Sequence, residues 1–568
     1  MSKKNEIRKK KNEIRKKKNI TMFMENGKMI ILDDHLEEAK VLLKLVSKDR
    51  LLDEYQWYEL GQCLHNINDE LLEDWIILSK KAKNKNMETQ CRKSWRKMEF
   101  TNYSISTLHD FALKDSPIEY LKMKDIKINK LMDEGLEPSS YIIAKLLMEK
   151  YKFIYKCASI KYNIWYEFKN HRWIEIDSAY TLRNLISNIL VKEYTEKRRY
   201  LYELSKTKNG YDRESCGIEA NQITKIITKL NNSSFKNGIV RECGTMVYDP
   251  VFREKLDENT NLLCFNNGVY DLGKNIFRAG TPDDCIGICT NYNYIPYDKN
   301  NDLYNDIKIF MRKIQPNKII RNYLMTLLST CLVGETMHEE LYILTSDGYG
   351  SSGMNTLINL MRYTLGDLFK AFDENKKGAR MCILDNDTNI NYEDIKYTSS
   401  DVITTSSNES VHFKPQFKLF LLYDALPIIK IADDDVIWSK LHVIPLLNTE
   451  YTNGIIFTWK EVFMCILIRY YQKYRLNGLT VPKSIDQYTM KFRDKCDIYG
   501  NFIKDFLKKT GKDKDIVHFT TIYAGMKEWW TINHTGKCPK SSNVKNYLSR
   551  KISLYDSRKN VIRQHQVK

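Results

Sequence analysis

Residues 340–345 (ELYILT) form a short apolar run that leads straight into a glycine- and serine-rich stretch, Ser346 to Gly353 (SDGYGSSG). Beyond it, Leu357, Leu360, Met361, Thr364 and Leu365 recur at the spacing of one helical face, and Gly366-Asp367 supplies a stop. Strand, glycine loop and helix in that order are the context of a phosphate-binding loop. Such a loop has three chemical parts: backbone N–H groups turned inward by glycines, a Lys for the β- and γ-phosphates, and a Ser or Thr hydroxyl for Mg2+. Gly348 and Gly353 have the required spacing, with Tyr349, Gly350, Ser351 and Ser352 between them. Met354 stands where the Lys is needed and Asn355 where the hydroxyl is needed. On these residues alone, a tight turn without a ligand is the better reading.

Two further apolar runs support an α/β core around the loop. Residues 381–384 (MCIL) end at Asp385, and 419–423 (LFLLY) end at Asp424. Short buried strands that end in polar groups and are separated by helices or loops suit a nucleotide-binding sheet. The remaining organisation predicts a multidomain α and α/β protein. Residues 33–112 have helical periodicity, with Leu42, Leu45 and Val46 in one stripe and Trp57, Trp75 and Trp95 as core anchors. Residues 113–238 mix strand-like runs at 164–168 and 173–176 with a charged helix over 182–204. A turn-rich domain follows over 239–320, then the α/β core over 321–458. The segment 459–568 begins helical and ends in a mixed region containing Trp529-Trp530.

The 568 residues are enough for about three or four domains, and 42% hydrophobic content excludes wholesale disorder. Formal net charge is +18; residues 1–19 hold ten Lys/Arg and two Glu, which leaves +10 on the other 549. A basic body suits a polyanionic partner such as nucleic acid. Abundant Lys, Asn and Ile also follow from an AT-rich coding sequence, so charge alone does not decide. The tail, 1–20, repeats KKNEIRK at 3–9 and 10–16 and reads as a solvated arm, with nucleic-acid binding or nuclear targeting as the functional alternative. Thirteen cysteines without paired CxxC spacing suit a reducing compartment. Cys285 and Cys289 alternate with Ile286 and Ile288 like a strand face rather than a zinc site. The apolar run at 462–468 falls short of the ~20 residues that span a bilayer, and the N-terminus lacks a signal-like apolar region, so the expectation is a soluble intracellular protein with no membrane partner. Asp433, Asp434 and Asp435 read as a solvated run, and the Trp pair as core packing more than base stacking.

Longer motifs add a resemblance. They are 57–66 (WYELGQCLHN), 72–80 and Trp95; 261–272 (NLLCFNNGVYDL) with Phe277-Arg278 and Gly280; 413–422 (FKPQFKLFLL), Trp438 and Ile444-Pro445; and Trp459, Phe463, Gly478 and Pro482. On these residues the chain, from about Leu51 onward, resembles the viral superfamily 3 helicases of the poxvirus and giant-virus primase-helicase type. The helical region resembles the domain that follows the primase catalytic domain, and too few residues precede it for polymerase chemistry. The resemblance implies an AAA+-type P-loop ATPase core, a C-terminal helical, winged-helix-like domain, and action at viral replication sites in the host cytoplasm. It implies ATP and Mg2+ as cofactors, single-stranded DNA as partner, and a homo-oligomeric ring or co-assembly with an intact paralogue.

The departures fall on the chemical positions. Met354 and Asn355 replace the family's Lys and Ser at the Walker A loop, so Mg2+ would be left to Asn355 and Asp385. The Walker B strand ends in Asp385-Asn386, Asp424 stands at the sensor Asn, and Ser439-Lys440 stand where the family has Arg. An ionised Asp lacks amide donors, and Lys is a point charge rather than a bidentate fork. An arginine finger alone is worth about 10³–10⁵ in rate, so the combined changes predict a retained fold with impaired or absent ATPase activity. The alternatives are a working helicase with an unorthodox nucleotide site and a decayed gene product.

Overall fold

The computed structural model describes residues 21–568 apart from 26–27, 33, 84–86, 100, 102, 152, 335–339, 347, 349, 372–376, 385–401, 407–408, 414, 427–434, 448–452 and 535–536. The basic tail at 1–20 therefore lies outside the described residues. The chain divides into two units, one of residues up to 256 with 279–287, the other of 257–278 with 288–568.

In the first unit, helices Asp34–Leu43, Glu54–Ile67, Leu71–Ala82, Met87–Lys97 and Ile105–Asp115 enclose the three predicted tryptophans. Trp57 stacks on Trp75 at 4.6 Å between ring centroids, and Trp75 meets Trp95 at 5.8 Å. A Cβ on Gly61 would lie 2.3 Å from the Trp75 ring, so the close approach of helix to indole requires glycine there. The expected strands appear as Ile164–Lys169 and Arg172–Asp177, and Tyr155–Ser159 adds an antiparallel third. This third strand (YKCAS) has little apolar/polar alternation, the signal a sequence reading needs. Helices Val191–Thr207 and Tyr211–Asn231 pack on one another beyond it.

One expectation fails here. Cys285 and Cys289 do not share a strand. Cys285 has φ +50 at the end of a short turn of helix at Pro282–Asp284, which breaks the extended run that the alternation suggested.

The second unit is built on a five-stranded sheet: β1 (Leu341–Thr345), β2 (Phe369–Ala371), β3 (Met381–Leu384), β4 (Lys418–Tyr423) and β5 (Leu441–Pro445). Spatial order is β2-β3-β4-β1-β5, and every neighbouring pair is parallel. A parallel sheet covered on both faces needs near-continuous apolar strands, and these have them. Tyr342, Leu344, Phe420, Leu422 and Ile444 face one cluster, which includes residues of α1 (Ser352–Leu365) and α2 (Lys460–Asn477). Leu341, Ile343, Leu419, Leu421, Leu441 and Val443 face the other, with Trp438 and Phe492. Between β3 and β4 the chain forms an antiparallel hairpin, Val402–Ser406 with Glu409–Phe413, which no sequence signal had marked.

The C-terminal module has its own core of Phe502, Ile522, Met526, Val544, Leu548 and Ile562. Its order is helix Ile498–Phe506, strands Leu507–Lys509 and Ile516–His518, helix Phe519–Asn533, helix α3 (Ser541–Lys551), a hairpin of Tyr555–Asp556 and Val561–Arg563, and strand His565–Val567. Val561–Arg563 pairs with Ile516–His518, and His565–Val567 with Leu507–Lys509.

Candidate nucleotide site and nucleic-acid interface

The glycine loop leaves the carboxyl end of β1, which lies between β4 and β5. In open α/β sheets ligands bind at such a point, where strands continue to opposite sides. Gly348 (φ +83) and Gly350 (φ +97) adopt left-handed backbone that lets the chain reverse before α1. The loop is tied to the end of β4 by three donors. The Gly348 N–H donates to the Asp424 carbonyl at 2.8 Å. Thr345 Oγ1 donates to the same oxygen at 3.3 Å, and Ser346 Oγ at 3.1 Å. Ser346 Oγ also lies against the Asp424 carboxylate. The Gly348 N–H is therefore committed to protein, and Asp424 acts as the loop's acceptor. Ser346 was not among the sequence candidates; its place directly after a buried strand and opposite Asp424 is the signal that could have found it.

The start of α1 disposes of the two replaced positions differently. Met354 is 3% exposed and belongs to the apolar cluster with Leu344, Leu357, Ile358, Leu360 and Met361. Its side chain is a core group. Asn355 is exposed; its N–H donates to the Ser351 carbonyl at 2.8 Å, and its Nδ2 donates to Ser351 Oγ at 3.2 Å. Thr356 Oγ1 donates to the Ser352 carbonyl at 2.7 Å. Gly353 is buried beneath the turn. Tyr349 lies outside the described residues, as do Asp385 and Asn386. The strand that precedes them, β3, pairs with β4 so that Leu384 meets Leu421.

Lys440 is at the other edge. It ends the helix Asp435–Lys440, and Leu441 follows in register with Leu341. Five strand positions separate that level from the loop, roughly 16 Å at about 3.3 Å per residue. Within one chain the structure brings Asp424 to the loop and leaves Lys440 away from it. Asp433 and Asp434 lie outside the described residues, and among those described no group of three or more His, Cys, Asp or Glu is placed to hold a metal ion.

Two polar groups near the amino edge of the sheet were also unpredicted. Arg380 is 2% exposed, donates to Gln416 Oε1 at 2.5 Å and to the Asn259 carbonyl at 3.4 Å, while Gln416 Nε2 donates to the Asp257 carbonyl at 3.1 Å. Burial lowers its guanidinium pKa to about 10, against the raising effect of Asp257. A Cβ on Gly334 would lie 1.5 Å from Arg380 Nη1, so that glycine makes room for it. The group fastens the 257–259 segment to β3. Across the sheet, Tyr342 stacks on Phe420 at 5.3 Å and on His442 at 5.7 Å, and its hydroxyl donates to Glu340. Burial holds His442 below its ordinary pKa, although the Glu340 and Asp486 carboxylates pull the other way.

The C-terminal module has a different chemistry. Residues 498–568 carry 15 Lys/Arg against five Asp/Glu, a net +10. With the +8 of the tail they account for the whole formal +18, so residues 20–497 are formally neutral. A coding bias toward Lys would spread along the chain; this charge is concentrated. Trp529 Nε1 donates to Asp505 at 3.1 Å and Trp530 stacks on His534 at 4.5 Å, so both rings are half-buried packing groups.

Comparison with known proteins fits this arrangement. The family model described as D5 N terminal like matches residues 144–317, and the one described as Primase C terminal 2 (PriCT-2) matches 39–112. A provisionally named helicase of Acanthamoeba polyphaga mimivirus, L207/L206, is 44% identical over 575 residues, which cover 92% of this chain and 60% of that protein. In both family models and in this relative the chain is similar to the viral D5-type primase-helicase family. A more distant relative, the provisionally named helicase 121R of Invertebrate iridescent virus 3, is 23% identical over 89% of this chain and 64% of its own length. This chain thus spans less than two thirds of the curated relatives it matches. Among solved structures, the apo NrS-1 C-terminal region aligns over 43% of this chain and 62% of its own, at 12% identity and a TM-score of 0.29, too low to argue from. No helix among the described residues is long and apolar enough to cross a membrane.

Proposed function

We propose that this protein is a D5-type viral DNA-replication component with an AAA+-type superfamily 3 ATPase fold whose nucleotide site is impaired, and that it acts by binding DNA within a ring or beside an active paralogue. The observation that carries the proposal is Met354. At the position where a phosphate-reaching cation is needed, the side chain is packed into the apolar cluster. The commitment of the Gly348 N–H to Asp424 supports the same reading. Phosphoryl transfer is catalysed by positioning and charge stabilisation, so a loop without its cation loses the largest contribution it could make. The all-parallel order β2-β3-β4-β1-β5, with β1 between β4 and β5, supports the AAA+ assignment, because the glycine loop then sits where ligands bind in such sheets. The position of Lys440, away from its own loop, suits a group that would reach a neighbouring subunit's nucleotide. DNA contact is assigned to the two basic ends, with the C-terminal module as a winged-helix-like domain; the Val402–Phe413 hairpin contains no Lys or Arg.

The second reading, a working helicase, is favoured by the intact strand–loop–helix geometry. Binding of ATP·Mg2+ by isothermal titration separates the two. The native protein is expected to bind weakly or not at all, and Met354→Lys with Asn355→Ser is expected to improve binding before any turnover appears. Turnover should stay low until Asn386, Asp424 and Lys440 are also changed to the family residues, since parts that act as a unit are non-additive. Tight binding by the native protein, lost on Gly348→Ala, would favour the helicase.

A further inference from the structure

On the proposal that the C-terminal module binds DNA, its fold goes further and indicates what is read. Helix α3 buries Val544, Tyr547 and Leu548 on one face. The opposite face presents Ser542, Asn543, Asn546, Ser549 and Arg550, all exposed. These are amides, hydroxyls and one guanidinium, not a run of ammonium groups. Phosphate contacts position a protein on DNA and come largely from cations, whereas base edges are read by side chains with paired donors and acceptors. Asn is suited to the N6/N7 edge of adenine, Arg to the O6/N7 edge of guanine, and Ser to either.

Exposed cations lie on the segments that flank this helix in the chain. Lys540 precedes the helix, and Arg558 and Lys559 occupy the turn of the following hairpin, all exposed. That turn is shaped by its own residues. The Asp556 carboxylate accepts the Arg558 and Lys559 N–H groups, both at 3.1 Å. Asn560, at φ +54, accepts at its carbonyl the Phe519 N–H at 2.8 Å and at Oδ1 the Tyr555 hydroxyl at 3.2 Å. The hairpin turn is therefore held to the helix that precedes α3. An α-helix is about 10–12 Å across with its side chains, and the major groove of B-DNA is about 12 Å wide.

We propose that the outward face of α3 enters the major groove of duplex DNA and reads base edges, Asn543 and Asn546 at adenine and Arg550 at guanine, while Lys540, Arg558 and Lys559 hold the flanking phosphates. The occupant is a duplex rather than a single strand. A single strand offers no groove, and binding one by stacking needs open aromatic faces, whereas Trp529 and Trp530 are half-buried and Trp530 stacks on His534.

The test is selection of short duplexes with a randomised centre by the full-length protein at fixed salt, followed by sequencing of the bound fraction and anisotropy titration of the selected duplex. A motif containing adenine is expected, bound about tenfold or more tightly than a scrambled duplex, given about 1–3 kcal/mol per good bidentate pair. Asn546→Ala should remove preference at one position and leave the salt slope unchanged; Arg558→Ala should weaken all sequences alike and lower the slope by about 1. Thermal unfolding of both variants should match the native protein, since both side chains are exposed. Binding that requires residues 498–568 but shows no base preference, or a preference unchanged by Asn546→Ala, overturns base reading and leaves the DNA proposal standing. Loss of neither duplex nor single-strand affinity on removing 498–568 overturns both.

Discussion

Met354 is a core side chain at the position where a phosphate loop needs its cation. Packed at 3% exposure among Leu344, Leu357 and Met361, it contributes to the core that a lysine in a phosphate loop would leave open. Met354→Lys is therefore expected to lower stability by about 1–3 kcal/mol through burial of a charge or displacement of its neighbours, whereas Met354→Leu should cost less than about 1.5 kcal/mol. Urea unfolding of the two variants checks the order; equal stability would place the Met354 side chain at the loop surface instead. Asp424 has the opposite character, being exposed yet tied to Ser346 and Gly348. Asp424→Asn keeps an acceptor for Ser346 and should be nearly neutral, while Asp424→Ala should cost about 1 kcal/mol, the worth of one hydrogen bond. The sequence marked both positions as degenerate. It did not disclose that one had become core and the other a tether, because neither burial nor the Ser346 partnership leaves a spacing signal.

At the scale of elements, the long periodic segments were readable and the short connecting ones were not. Strands 340–345, 381–384 and 419–423, the helix after the glycine loop and the tryptophan-anchored helices all appear, because each is a continuous apolar run or a clear helical stripe. Tyr155–Ser159 and the Val402–Phe413 hairpin were missed, since short strands with mixed composition carry little periodicity. The sheet itself predicts a pH effect. His442, on β5, is buried against Tyr342 with its pKa below the ordinary 6.5, so the unfolded chain binds a proton more readily than the folded one. Stability from this group is complete above about pH 6.5 and is lost as pH falls below it toward the depressed folded value. Melting temperature measured across that window should fall more steeply for the native protein than for His442→Phe; parallel curves would mean that His442 does not titrate between the two states.

For the whole molecule, the distribution of charge divides labour between a neutral middle and two basic ends. DNA affinity should fall steeply with salt as counterions are released. Removing residues 1–19 should reduce the salt slope without abolishing binding, and removing 498–568, which has its own core, should abolish most of it. A fragment lacking 498–568 that binds DNA as well as the full chain would refute this division. Intact apolar patterning of the sheet predicts a cooperatively folded protein that self-associates, or joins an active paralogue, in a concentration-dependent manner indifferent to ATP; sedimentation over a wide concentration range reads this, and a strict monomer that also fails to join such a ring contradicts it. The central claim is that the fold persists while the nucleotide chemistry does not. Steady-state ATP·Mg2+ hydrolysis by the purified full-length protein, with and without single-stranded DNA, tests it most directly. The account predicts no turnover above background in either case. DNA-stimulated hydrolysis that is abolished by Asp385→Ala would contradict it and establish a working enzyme.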